Sequence, residues 1–297
     1  MPADRSNRRG KRGKQGGGGP AGKRSGSVQR RRRTPERTEP EQKTAPQTSA
    51  APHNTSWNPV ATWYTGWVGK SGSMYHRKSA LPAVLRLAAP ERGESLVDIG
   101  CGHGILARPV LKTGSAYLGV DFSPRLIEAA RAANPKSARF LHGDARELTG
   151  LPGVGVGSFD AAVFMLSIQD MDPLDAVIGQ AVELLGDGGR LVIYMLHPAF
   201  RVPRGSGWGF DPDRKLRYRR VDHYSRELAV PMKAFAEAGA PERRGTTWSF
   251  HRPLAAYFRA LTDRGLTVDA FEEHADPLEK EPSGIPMFVA LRARKPA

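Results

Sequence analysis

The chain has one cysteine in 297 residues, which excludes a disulfide framework and a cysteine-rich zinc site. That economy fits a reducing compartment, and the expected location is the cytoplasm. Long apolar runs are missing too. The longest, "AAVFML" at 161–166 and "RLVIYML" at 190–196, suit buried strands and fall far short of the ~20 residues of a bilayer-spanning helix, so no membrane contact is expected. Apolar side chains are nearly absent from residues 1–43, where 14 Lys and Arg stand against 4 Asp and Glu. Such a segment cannot bury enough surface to offset its ordering entropy, so residues 1–56, a basic tail and a Pro/Ser/Thr/Ala linker, are expected to be disordered. The tail shows neither the apolar stretch of a secretory signal nor the amphipathic helix of a transit peptide. Two readings stand for it: a tether to nucleic acid through residues 1–43, or a solubilising extension without aromatics for base stacking. The remainder holds 31 basic and 26 acidic residues, so the net charge of +15 belongs mainly to the tail.

Beyond the tail the pattern turns regular. "WNPVATWYTGWVGKSGSMYHRK" (57–78) is dense in Trp, Tyr and Gly, and "SALPAVLRLAA" (79–89) has helical spacing. "SLVDIG", "AYLGVD", "ARFLHGD", "FDAAVFML" and "RLVIYML" read as strands. Between them lie helices: "GILARPVLKTG", which Pro109 should kink or shorten; "SPRLIEAARAAN", with Ser123 as its N-cap; and "PLDAVIGQAVELLGDGG", closed by glycine. This alternation predicts an α/β fold with a mostly parallel, doubly wound sheet and helices on both faces. Residues 198–250 break the rhythm with Pro, Gly, Arg and aromatics, and read as an insertion over the carboxyl edge of the sheet. "HRPLAAYFRALTDRG" resumes as a helix, and "LTVDAFEEH" and "PMFVALRAR" close as a strand pair.

In an open parallel sheet, ligands sit beyond the carboxyl ends of the strands. "LVDIGCGHG" puts Gly100, Gly102 and Gly104 there, freeing the backbone to turn tightly and approach a ligand. The spacing is G-x-G-x-G rather than the G-x-G-x-x-G of pyrophosphate binders, and Asp98 before it favours a cationic ligand. Asp121 ends the next strand, where an acid accepts hydrogen bonds from ribose hydroxyls. Asp144, in "HGDA", offers itself to an exocyclic amine. An ammonium, a ribose and an adenine without phosphate meet all three acids, and S-adenosylmethionine (SAM) is such a ligand.

With "LVDIGCGHG", "LGVDFSP", "HGDA", "FDAAVFMLSIQDM" and "LLGDGGRLVI" in order, the sequence resembles the class I SAM-dependent methyltransferases. The flanks "GSMYHRKSALPAVLRL" and "HPAFRVPRGSGW" resemble a bacterial group of small-molecule-like methyltransferases, so the likeness spans about residues 60–297 and omits the tail. It implies a Rossmann-like seven-stranded sheet with the last strand antiparallel, in one domain over 57–297 with 57–89 as an N-terminal cap. It also implies site roles. Asp98, Gly100 and Gly102 would line the methionine end of SAM, with Cys101 a small filler in that turn. Asp121 would bind ribose, Phe122 would pack on adenine, Asp144 and Ala145 would read the adenine edge, and Leu166 and Ser167 would flank the sulfonium. Taken singly, Asp98 and Asp144 also read as turn or cap acids, and His103 as a solvated loop residue.

Methyl transfer from a sulfonium is mostly a matter of alignment, and a base matters only when the acceptor is protonated. His197, leaving the fifth strand in "YMLHPAF", is the base candidate, with acceptor positioning or a plain loop hydrogen bond as its alternative. Tyr75 and His76 either cover the cofactor or touch the acceptor. His251 and Arg252 either bind an acceptor carboxylate at a helix N-terminus or cap the surface. "SIQDM" lacks the Asn/Asp-Pro-Pro-aromatic run of exocyclic base methylation, and Cys101 sits in the cofactor turn, away from any carbon-methylating nucleophile role. Asp170 and Asp172 lie in the region of the acid cluster that metal-assisted catechol methylation needs, but no Asp-Asn pair follows the fifth strand, so no metal is expected. The expected activity is SAM-dependent methyl transfer to an oxygen or nitrogen of a small molecule. RNA-associated methyl transfer and SAM binding without turnover are the alternatives.

Overall fold

The computed structural model describes residues 54–233, 246–280 and 283–297. The basic tail and most of the linker, and with them the expected disorder and nucleic-acid contact of residues 1–43, lie outside the described residues. The last linker residues are described: Ser56 is buried and its hydroxyl donates to the carbonyl of Phe122.

Five strands, β1 (Ser95–Ile99), β2 (Ala116–Asp121), β3 (Arg139–His142), β4 (Phe159–Met165) and β5 (Leu185–Leu196), pair in parallel through the neighbours β3-β2-β1-β4-β5. Two antiparallel hairpins follow, β6 (Ser206–Asp211) with β7 (Leu216–Val221), and β8 (Leu228–Lys233) with β9 (Thr246–His251). β10 (Thr267–His274) and β11 (Phe288–Arg294) complete the large sheet, whose order is β10-β11-β5-β4-β1-β2-β3. The closing strand β11 runs antiparallel to both β5 and β10. This is the doubly wound seven-stranded sheet with its last strand reversed, as expected.

Side chains alternate across each strand, so β1 sends Val97 and Ile99 to one face and Leu96 and Asp98 to the other. The first face packs on α5 (Leu174–Leu184) and α6 (Leu254–Thr262) through Val177, Ile178, Ala181, Tyr257 and Leu261. The second packs on α2 (Leu81–Ala88), α3 (Ala107–Thr113) and α4 (Pro124–Ala133) through Val84, Leu87, Val110, Ile127 and Ala130. Burial on both faces explains why the central strands read as nearly continuous apolar runs.

Two element boundaries differ from the sequence pattern. The helix expected to run through "LLGDGG" stops at Leu184, and residues 185–189 already belong to β5. Leu185 pairs with Phe159, and Gly188, at φ +71°, donates its N–H to the carbonyl of Pro296. Pro109 does not break α3, because it lies in the first turn, where its missing N–H has no intrahelical partner to lose. The helix is nonetheless shorter than "GILARPVLKTG".

The N-terminal segment is tied to the start of α4. Ser123 accepts a hydrogen bond from the N–H of Leu126 at 3.3 Å, and its hydroxyl donates to Asn58 Oδ1 at 3.1 Å. Removing a capping hydroxyl costs about 0.5–2 kcal/mol. Ser123→Ala is therefore expected to lower unfolding stability by about 1 kcal/mol, and a denaturant midpoint equal to that of the wild type would reject the cap.

Candidate active site

The turn after β1 is held against β2 by its backbone. The N–H groups of Gly100 and Cys101 both donate to the carbonyl of Val120, at 2.8 and 3.0 Å. Gly100 has φ +74°, and a Cβ there would lie 2.5 Å from Ser167 Cβ and 2.7 Å from Met171 Cε. Only glycine lets the turn pass this close to the end of β4, where Ser167 donates to the carbonyl of Ile99 at 2.7 Å. Gly102, at φ +56°, passes under the ring of Tyr64 on α1 (Ala61–Val68).

Asp121, at the end of β2, clamps the turn. One carboxylate oxygen accepts from the N–H of Gly102 at 2.9 Å, the other from the N–H of Ser123 at 2.8 Å. Burial raises its pKa above the ordinary range, against the lowering effect of those two hydrogen bonds. Each oxygen keeps lone pairs for a further donor.

A cavity of about 1020 Å³ opens beside this carboxylate. Pockets for one small ligand run to roughly 300–1,000 Å³, so this one has room for a cofactor and a second molecule. One wall carries Asp121, Phe122, Gly143, Asp144 and Ala145. Phe122 is 39% exposed and stacks on His142 at 6.2 Å, presenting a bare aromatic face. Asp144 is engaged by Arg146 at 2.5 Å. Burial acts to raise its pKa, but the hydrogen bonds and charge of Arg146 hold it below the usual carboxylate range. Trp57, Trp63, Tyr64 and Trp67 from the N-terminal segment form a second wall, with Trp63 and Trp67 stacked at 5.9 Å. The third wall carries Tyr75, Leu196, Arg201, Pro203, Met287 and Phe288.

Of the residues singled out from sequence, Gly100, Gly102, Asp121, Phe122, Asp144, Ala145, Leu166, Ser167, Tyr75 and His76 border this cavity. Leu166 has φ +59°, a strained conformation of the kind that clusters at functional sites. His76 is buried with Nδ1 on the Ser73 hydroxyl at 2.9 Å, and burial, with His103 and Arg77, lowers its pKa to about 4. It is a neutral ring at physiological pH.

Asp98 and Cys101 do not border the cavity. Cys101 packs in the core on the second sheet face. Asp98 is buried and accepts from the Tyr117 hydroxyl at 2.8 Å, while its Oδ1 has no partner among the described residues. Burial pushes its pKa to about 7, against the Tyr117 hydrogen bond and with the Asp121 charge.

His197 departs from its expected role as base. It is 2% exposed and does not border the cavity. Its Nδ1 accepts from the N–H of Ala199 at 3.2 Å, so the proton sits on Nε2, which donates to Glu273 at 2.8 Å. No lone pair remains for an acceptor, and the ring serves the turn after β5. His251 and Arg252 are partly engaged, the Nη1 of Arg252 being buried without a partner among the described residues. His251 donates to the carbonyl of Tyr224, and Arg252 donates to the Asp172 carboxylate and the Met171 carbonyl. His103 is buried rather than solvated, with Nε2 on the carbonyl of Gly69.

Among the cavity residues assigned no part in binding or transfer from sequence are Gln169, Asp170 and Arg201. Gln169 donates to the carbonyl of Leu166 at 2.6 Å, leaving its buried Oε1 without a partner among the described residues. Asp170, in the turn Ile168–Asp170, borders the cavity, and burial raises its carboxyl to about 8 despite hydrogen bonds with Ser249 and Trp57. The only sequence signal was an acid just after the fourth strand.

The raised carboxyl of Asp170 has a measurable consequence. The unfolded side chain ionises near 3.9, while the folded one keeps its proton to about 8. Between these values the folded state binds more protons, so stability falls as pH rises through that window. Asp170→Asn is expected to remove this loss, so its melting temperature should gain on the wild type from pH 5 to pH 8. Parallel melting curves across that range would reject the assignment.

Comparison with known proteins agrees with this geometry. Residues 97–191 match the family described as "Methyltransferase domain". A demethylmenaquinone methyltransferase of Tropheryma whipplei (strain Twist) is 31% identical over 111 residues, 37% of this chain and 45% of that protein. A ubiquinone biosynthesis O-methyltransferase of Xanthomonas campestris pv. campestris (strain B100) is 28% identical over 156 residues, 50% of this chain and 64% of that protein. The chain thus spans about half the length of these curated relatives. The crystal structure of an S-adenosylmethionine-dependent methyltransferase from Mesorhizobium loti superposes with a TM-score of 0.59 at 25% identity, covering 76% of this chain and all of that one.

Proposed function

Residues 97–191 form a methyltransferase domain of the class I SAM-dependent kind, and from that premise we propose that the protein transfers a methyl group from SAM to an oxygen or nitrogen of a small molecule. We take residues 57–297 as one domain, with 57–89 capping the cavity and 198–250 covering its acceptor end. A cytoplasmic location fits the single buried cysteine.

The observation that carries the proposal is the Asp121 carboxylate, fixed by two backbone amides yet open to the cavity beside the bare face of Phe122. The group it would hold has a ribose and an adenine. Asp121 accepts from the ribose hydroxyls, Phe122 covers the base, and the Cβ-free edges of Gly100 and Gly102 leave space for the amino-acid end. Bound SAM supplies an electrophilic methyl on a positively charged sulfur that leaves as a neutral thioether. Around it, the Trp57, Trp63 and Tyr64 wall excludes water. The free Oε1 of Gln169 accepts a hydrogen bond from the hydroxyl or amine of the acceptor. Asp170, in its ionised form, takes the proton that this group releases. The curated relatives, named for demethylmenaquinone methylation and for O-methylation in ubiquinone biosynthesis, support a small-molecule acceptor.

Two measurements test this reading. Losing hydrogen bonds to a charged group costs about 1.5–3 kcal/mol, so Asp121→Ala should weaken SAM binding roughly ten- to hundredfold by calorimetry. An unchanged affinity in the folded variant removes the ribose role. Asp170→Asn should slow transfer of labelled methyl into a small-metabolite pool by about a hundredfold or more, with SAM affinity retained. The wild-type rate should rise with pH to a plateau, its midpoint below the value of about 8 that the Asp170 carboxyl has without a bound cation, and the variant should lack that limb. A variant as fast as the wild type would leave Asp170 without a proton-transfer role, and no labelled product from either protein would favour SAM binding without turnover.

A further inference from the structure

We propose that Arg201 makes the cavity selective for an acceptor carrying a carboxylate on an apolar, aromatic body. The inference rests on the reading that this cavity binds a methyl acceptor, and it adds the acceptor's chemical class.

Arg201 borders the cavity, yet forms no ion pair among the described residues, and its buried Nε has no hydrogen-bond partner. A guanidinium binds a carboxylate side-on through Nε and one Nη, and Arg201 borders the cavity with its Nε unfilled among the described residues. An unsatisfied buried donor is costly, and a ligand atom that accepts from it relieves the cost.

The surroundings add positive charge rather than cancel it. Arg219 donates to the carbonyl of Phe200 and to the hydroxyl of Ser206, itself a cavity residue. Burial and the nearby charges of Arg201 and Arg217 lower the pKa of Arg219, while Asp276 reaches the same Tyr75 phenol that Arg201 does. Glu279 is the acid that feels Arg201 and Arg217, but its carboxylate accepts from the N–H of Ser283 at 3.0 Å, and no ion pair joins it to either arginine. The rest of this wall is apolar: Tyr75 against Phe288 at 5.8 Å, with Pro203 and Met287 beside them.

Position separates this wall from the ribose site. Arg201 follows β5, and Phe288 opens β11, three and four strands from β2 in the sheet order. With neighbouring strands about 4.8 Å apart, the ends of β5 and β11 that carry this wall stand roughly 14–19 Å across the sheet from β2. The carboxylate of SAM itself is the other source of the same chemistry, and the experiment separates the two.

The probes are 3-phenylpropionate and its neutral amide, titrated calorimetrically into the full-length protein with and without S-adenosylhomocysteine. The wild type should bind the carboxylate at least tenfold more tightly than the amide. Arg201→Gln should abolish that preference, and Arg201→Lys, which keeps the charge but not the fork, should retain part of it. Both variants should bind S-adenosylhomocysteine within twofold of the wild type. Equal binding of the two probes by the wild type, or binding of neither, overturns the proposal. So does a tenfold loss of S-adenosylhomocysteine affinity in Arg201→Gln, which would give Arg201 to the cofactor carboxylate. Failure of the wild type to bind S-adenosylhomocysteine rejects the methyltransferase reading instead, while the probe preference in its absence still decides the role of Arg201.

Discussion

The Asp121 carboxylate, held between the N–H groups of Gly102 and Ser123, is the contact on which the site depends. It joins three pieces of chain: the end of β2, the glycine turn after β1, and the first residue of the α4 cap. Hydrogen bonds to a charged acceptor contribute about 1.5–3 kcal/mol each, enough to offset part of the cost of burying the acid. Fixing the turn there brings Gly100 against Ser167 and Gly102 under Tyr64, so that both neighbours of the cavity pack on backbone. An acid of the same charge on a longer stem would reach both amides only by displacing one of these contacts.

Closure of the cavity is the work of segments remote in sequence. The stretch from Ser56 to His76 crosses the carboxyl edge of the sheet and is pinned along its length. Ser56 bonds the carbonyl of Phe122, Asn58 bonds Ser123, and the carbonyl of Gly69 meets His103. Trp57 and Tyr64 sit edge to face at 5.3 Å, and Tyr64 does the same with His103 at 5.6 Å. Burial raises the Tyr64 phenol, with the charge of Asp121 adding to it, so the ring stays neutral where a phenolate would face the acids. The aromatic density of residues 57–78 is thus a cover built against the glycine turn.

What was legible in the sequence was local. The glycine turn, Asp121 and the Ser123 cap each depend on neighbours within a few residues or on adjacent strands, and alternation of apolar segments is enough to order those strands. For His197 the sequence leaves a base and a loop hydrogen bond both open, and its hydrogen bonds to Ala199 and to Glu273, 76 residues on across the sheet edge, favour the second. For Arg252 the sequence left carboxylate binding and capping open, and Asp172, 80 residues earlier, engages its Nη2. Asp170 stood in the sequence only as an acid weighed for a metal site, because its raised pKa comes from burial, against hydrogen bonds from the remote Ser249 and Trp57, which no spacing in "SIQDM" announces. Arg201 carried no signal beyond its place in an arginine-rich insertion, since an idle Nε is a property of the packed wall.

The charges around the cavity also bear on the order of events in the proposed reaction. Asp98 and Asp170, with carboxyls near 7 and 8, are largely protonated or close to half-protonated at neutral pH in the protein alone. A cation drawn close to such a group favours its ionised form. A sulfonium and an ammonium entering beside Gly100 and Ser167 would therefore lower the pKa of Asp170, which borders the cavity, and release a proton on binding. By linkage, the cofactor would bind more tightly as pH rises through that range. Asp170 would then be ionised when an acceptor reaches Gln169 and would remain protonated otherwise. The base would be present only in the loaded cavity, and the buried, uncompensated carboxylate that the empty cavity would otherwise hold is avoided.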